Sequence, residues 1–128
     1  MLGDYFRYQV YNGTGVTVTV TIDEIRWKFG SDGSLTFSAE QTPMSASAVT
    51  TLAYGNSSAV DNGTDKYIGS HLTVLFDVSA SATGLVQVFL QRSTDDGTTW
   101  PSNGQGILIG SYYFSASSTD ALKNFSVG

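Results

Sequence analysis

The stretch from Val16 to Phe37, VTVTVTIDEIRWKFGSDGSLTF, decides the fold. Val16, Val18, Val20 and Ile22 alternate with Thr17, Thr19 and Thr21. That period of two sends the aliphatic side chains to one face and the hydroxyls to the other, the pattern of a half-buried β-strand. Asp23-Glu24 reads as a short break. Beyond it Ile25, Trp27 and Phe29 alternate with Arg26 and Lys28, and the strand is expected to bury its two aromatic rings. Gly30-Ser31-Asp32-Gly33 is a turn, because Asp-Gly accepts the positive φ angles of tight connections, and Leu35 and Phe37 return as the second strand of a hairpin.

Working outward, the same alternation recurs at Leu72, Val74, Phe76 and Val78 and again at Val86, Val88 and Leu90, on either side of a Ser-Ala-Ser-Ala-Thr-Gly turn. These two strands are expected to pair with each other. A β-rich run from Ile107 to Phe114 follows, and Leu122, Phe125 and Val127 form a last short strand. The segment from Gln41 to Gly69 carries Pro43, Gly55-Asn56 and Asp61-Asn62-Gly63 and reads as the loosest third of the chain. About eight strands at short spacing, with no repeat period and no helical pattern, point to an all-β, two-sheet β-sandwich of jelly-roll or immunoglobulin-like type. Its strand order stays open. No linker divides residues 1–128, so one domain is expected, with residues 1–12 as a docking arm that orders against a partner.

Composition narrows the function classes. Ser and Thr supply 32 of 128 residues while charged residues make up 13%, so surface polarity rests on hydroxyls, which suit strands and turns. The net charge is −5 and the six basic residues are scattered, leaving no basic stripe to neutralise phosphates; nucleic acid is not an expected partner. Cysteine is absent, which excludes disulfides and thiolate metal sites. No run approaches the roughly 20 apolar residues of a membrane-spanning helix, and the N-terminus lacks a secretory pattern, so no membrane association is expected.

Chemistry is sparse. With one histidine, His71, and no nucleophile or zinc motif, no catalytic residue is nominated and the chain is not expected to be an enzyme. No cofactor and no metal are expected either: Asp61-Asn62-Gly63-Thr64-Asp65 and Asp95-Asp96-Gly97 present oxygens, but Asn-Gly and Asp-Gly turns produce such clusters by default. Four sequons, at Asn12, Asn56, Asn62 and Asn124, are incidental to a composition rich in Asn, Ser and Thr. The most specific local feature is Ser93-Thr94-Asp95-Asp96-Gly97-Thr98-Thr99-Trp100, which matches the Asp-box pattern S-x-D-x-G-x-T-W. In it Asp95 accepts backbone N–H groups, Gly97 takes a positive φ, and Trp100 lids the hairpin. It resembles the repeated boxes of sialidases, yet a single copy in 128 residues cannot build a propeller, so Ser93, Asp95, Gly97, Thr99 and Trp100 are read as a structural turn. Tyr5, Phe6, Tyr8 and Tyr11, with Tyr112 and Tyr113, are candidates for partner binding.

Three segments, HLTVLFDVSAS, GLVQVFLQRSTDDGTTW and NGQGILIGSYYF, together with VYNGTGVTVTVTIDEIRWKFGSDGSLTFSAEQT, cover most of the chain and resemble small virion proteins of tailed bacteriophages. The resemblance is to a style shared by head decoration, fibre and tail proteins. It implies a β-sandwich virion structural protein, assembled in the bacterial cytoplasm, with the major capsid protein and copies of itself, as a trimer or dimer, for partners. An acidic chain suits the outside of a head better than a surface facing packaged DNA, so a capsid decoration or cement protein is the expected role. A fibre, tail or baseplate component and a carbohydrate-binding module are the alternatives.

Overall fold

Ten strands alternate inward and outward side chains and stack into two antiparallel sheets, in a computed structural model that describes residues 2–128. In chain order they are β1 (Tyr5–Asn12), β2 (Val18–Phe29), β3 (Leu35–Phe37), β4 (Gln41–Val49), β5 (Ala53–Asn56), β6 (Val60–Asp61), β7 (Gly69–Val78), β8 (Ala82–Ser93), β9 (Ile107–Ser117) and β10 (Ala121–Val127). One sheet runs β5-β1-β8-β9, with β6 beside the start of β1. The other runs β10-β7-β2-β3, with β4 taking the rest of the β2 edge. The molecule is thus the expected all-β, two-sheet sandwich.

The core lies between the sheets. Phe6, Tyr8 and Val10 of β1 and Val86, Val88 and Leu90 of β8 face Val18, Val20 and Ile22 of β2 and Leu72, Val74 and Phe76 of β7, each buried. Burying one such side chain contributes about 1.5–3 kcal/mol, and this layer offsets the entropy of ordering the strands. The β2–β3 hairpin forms as expected, with Trp27 opposite Phe37 and Phe29 opposite Leu35. Gly33 at φ 83° supplies the left-handed position, and Asp32 Oδ1 accepts the Ser34 N–H and hydroxyl.

Several expectations are corrected. β7 and β8 do not pair: the turn at 79–81 carries the chain from one sheet to the other, so β7 pairs β2 and β10 while β8 pairs β1 and β9. The segment read as loosest supplies β4, β5 and β6, strands too rich in Ser, Ala and Gly to show apolar alternation. The docking arm of residues 1–12 is not an arm: apart from Met1, outside the described residues, it holds buried Leu2 and the interior strand β1, whose Phe6 and Tyr8 are 0% exposed. Finally, Asp23-Glu24 is no break, because β2 runs unbroken from Val18 to Phe29.

Candidate functional site

That unbroken run has a geometric consequence. With Val18, Val20 and Ile22 facing the core, every even position of β2 points inward and every odd position outward. The apolar residues change parity at Asp23-Glu24, so Glu24 and Arg26 enter the sandwich while Ile25, Trp27 and Phe29 leave it. The two aromatic rings expected inside are therefore on the outer face.

Glu24 is 1% exposed and ties the two sheets together. Its Oε2 accepts the Tyr8 hydroxyl at 2.6 Å and the Ser70 hydroxyl at 2.9 Å, and its Oε1 lies 3.3 Å from Arg26 Nε. Burial, and then the adjacent Glu24 carboxylate, push the Tyr8 hydroxyl well above its ordinary pKa, which keeps it protonated and donating. Arg26 packs its guanidinium 5.4 Å from the Tyr67 ring centroid and keeps 11% of its side chain exposed. The pair floors a cavity of about 370 Å³ between β4 and the segment leading into β6, with Thr42, Ser58, Asp61 and Asp65 on its walls. Its polar lining suits hydrogen-bonding groups and not an apolar ligand.

On the opposite side of the same sheet the odd-numbered residues form an apolar patch. Phe29, Leu35 and Phe37 are 59%, 53% and 55% exposed, and Ile25 adjoins them. Trp27 meets Phe29 edge-on at 6.0 Å and stacks on His71 at 6.5 Å. Its indole lies over Gly69, where a Cβ would come within 2.3 Å of the ring, so this cross-strand pair requires glycine. Together Trp27, Phe29, Leu35, Phe37 and His71 line a groove of about 260 Å³. These side chains lie together in solvent and are not spread singly over the surface. The parity change at Asp23-Glu24 was the sequence signal of this patch.

The residues nominated from sequence are dispersed. Phe6 and Tyr8 are core. Tyr5 donates to Asp61 Oδ2 at 3.0 Å, and Tyr11 packs on Tyr54 with centroids 4.8 Å apart. Tyr112 packs against Phe114 and under the Lys123 ammonium. Of the six only Tyr113, at 59%, is freely exposed, so they make no common aromatic platform.

The Asp-box residues, by contrast, meet in one turn. Ser93 Oγ accepts the Gly97 N–H at 2.9 Å and donates to Asp95 Oδ1 at 2.8 Å, while Asp95 Oδ1 accepts the Thr99 N–H at 2.7 Å. A side-chain hydrogen bond from Thr99, followed by the Thr99 N–H and the Ser93 hydroxyl, holds the Asp95 carboxyl down at about 2. Gly97 at φ 84° turns the chain, Trp100 Nε1 donates back to Gly97 O at 3.1 Å, and Arg7 stacks 4.6 Å over the indole. The rest of the connection, through residue 106, folds across the outer face of its sheet. Two outward glutamines anchor it and become fully buried: Gln91 Nε2 reaches the carbonyls of Ser102 and Gln105, and Gln9 Oε1 accepts the Gly104 N–H at 2.9 Å. Neither glutamine was nominated, because a polar residue in an alternating strand reads as solvent-facing.

In the 61–65 loop the side chains serve the backbone. Asn62 Oδ1 accepts the Tyr67 N–H and its amide donates to Gly3 O and Tyr67 O, while Asp61 Oδ1 accepts the Gly63 N–H. Among the described residues no three His, Cys, Asp or Glu side chains gather to hold a metal ion. Asn12 and Asn62, two of the four sequon asparagines, are 0% and 1% exposed, which closes them to glycosylation in the folded chain. Comparison of the chain with family models, with curated proteins and with solved structures finds no match.

Proposed function

We propose that this chain is a virion structural protein of a tailed bacteriophage, a decoration or cement protein that sits on the outside of the head and grips the major capsid protein through the Ile25–Phe37 patch. The observation that carries this reading is the outward placement of Phe29, Leu35 and Phe37 on a rigid hairpin, each more than half exposed. Large apolar side chains held at such exposure become the anchors of an interface once a partner removes them from water. Bound only to the assembled lattice, the protein raises the cost of disassembly by mass action. A glycan is a poorer fit for the groove: its lining is four apolar side chains and one imidazole, and Trp27 Nε1 is buried, so hydroxyls find few partners there.

The experiment is co-sedimentation with assembled heads, followed by electron cryo-microscopy of the decorated particle. Wild-type protein is expected to pellet with heads and to give density repeated over the lattice, whereas the double variant Phe29→Ser, Phe37→Ser stays in the supernatant although it folds. Density confined to one vertex assigns the protein to the tail and refutes the decoration reading. Undiminished pelleting of the double variant refutes the patch.

A further inference from the structure

The lateral edges of the sandwich are built differently. On one side, β5 and β6 are four and two residues long, β3 has three, and β4 contains Pro43, two register shifts and Ala46 at φ 43°. Ser58 N–H also donates to Pro43 O at 2.8 Å and sews the two sheets together there. Short, bulged, proline-bearing strands are the means by which proteins stop an edge from pairing with another chain.

In β9 such irregularities, two register shifts and Ala116 at φ 54°, stay toward the strand ends. β9 ends its sheet, with β8 as its one strand partner, and its eleven residues ILIGSYYFSAS contain neither a charge nor a proline. The register irregularities fall toward its two ends and leave Gly110–Phe114 in regular alignment with Gly84–Val88. Among the described residues the outer backbone groups of that segment find no backbone partner. Beside the edge, on the outer face, Leu85 lies opposite Tyr113 and Leu108 opposite Phe89, and Leu85, Leu108 and Tyr113 are 36%, 51% and 59% exposed. Across the sandwich the neighbouring edge strand β10 has one charge, Lys123, already committed to the Tyr112 ring at 4.7 Å.

We propose that β9 is a homodimerisation edge: two copies pair their β9 strands antiparallel about a two-fold axis through Gly110–Phe114, and each sheet continues into the other. The free N–H and C=O groups select an extended strand as occupant, since no side chain satisfies such a row. The composition selects a second copy. An uncharged strand laid antiparallel on itself sets no like charges opposite one another, so a chain of net charge −5 meets its own image along β9 without local repulsion. The apolar flank of Leu85, Leu108 and Tyr113 recurs on both copies of an isologous interface, and each shields the other. The inference does not depend on the phage reading.

Sedimentation velocity over a wide dilution series tests it. Wild type is expected to convert from dimer to monomer on dilution, and Tyr113→Lys and Leu108→Lys each to weaken dimerisation by at least about tenfold. Both positions are exposed, and unchanged circular dichroism verifies that the variants fold. Hydrogen exchange on the wild type gives an independent readout: amides within Gly110–Phe114 are expected to gain protection at high concentration and those of β5 and β6 are not. A monomer at every concentration overturns the proposal, as does a dimer that survives both lysines or whose protection maps elsewhere. Failure of the wild-type dimer to bind heads counts against the proposed function alone.

Discussion

The two halves of β2 use one backbone in opposite ways. From Val18 to Ile22 the strand buries aliphatic groups and turns threonines outward; from Glu24 to Phe29 it buries an ion pair and turns an isoleucine, a phenylalanine and a half-buried tryptophan outward. The ladder to β7 does not mark the change, since it pairs continuously from Val18 to Trp27, whereas the ladder to β4 shifts register on both sides of Ile22. What changes is which parity carries the apolar side chains. The first half stabilises the fold. The second half gives up part of that stabilisation to create a surface, and it keeps Glu24 tolerable only through Tyr8, Ser70 and Arg26.

Substitutions can break this contrast. Glu24→Ala strands the Tyr8 and Ser70 hydroxyls and leaves Arg26 without its counter-charge, so it is expected to cost about 3–5 kcal/mol in urea unfolding; a cost below about 1 kcal/mol refutes the account of the second half. Gly69→Ala drives a methyl into the Trp27 ring and is expected to cost about 1–3 kcal/mol and to alter tryptophan fluorescence. Ile22→Val, in the first half, is expected to lower stability by about 0.5–1.5 kcal/mol. Phe29→Ser, seven residues further along the same strand, is expected to stay within about 0.5 kcal/mol of wild type. Apolar truncations thus matter inside the first half and not outside the second.

The Asp-box turn, away from β2, supplies the smallest effect. Asp95 is held at about 2 against an ordinary 3.8, so its contribution is fully present above the ordinary value and is lost as pH falls through it toward about 2. Asp95→Asn is expected to flatten that part of the acid limb of a melting-temperature profile and to leave its slope near neutral pH unchanged, where Asp95 is fully ionised.

Much of the fold was legible because alternation survives wherever one face is wet: the Val16–Ile22 run, the hairpin at Asp32-Gly33, and the strands around Val74, Val88 and Phe114. Alternation cannot, however, say which face is inside. Ile25, Trp27 and Phe29 look like a core stripe until the strand is known to run through Asp23-Glu24 without interruption. Gln9 and Gln91 carry no sign of burial, since a folded-back loop and not a second sheet covers them. The neighbours β7 and β8 fail to pair because three residues can turn a chain between sheets as readily as within one. The Asp-box was recognisable because its bonds are local, spanning Ser93 to Trp100.

The position of β1 has a consequence for how the protein is made. Tyr5 lies opposite Ser93 and Asn12 opposite Val86, so β1 leaves the ribosome well before the strand that fills its long flank. Until then the β8 flank of β1 has no strand partner, and the nascent chain carries an apolar strand with an unpaired edge. Such distant pairing places folding among the slow all-β domains, on the order of milliseconds to seconds, once β8 has been made. Yield in a heterologous host therefore depends on keeping that waiting strand away from its neighbours on the polysome.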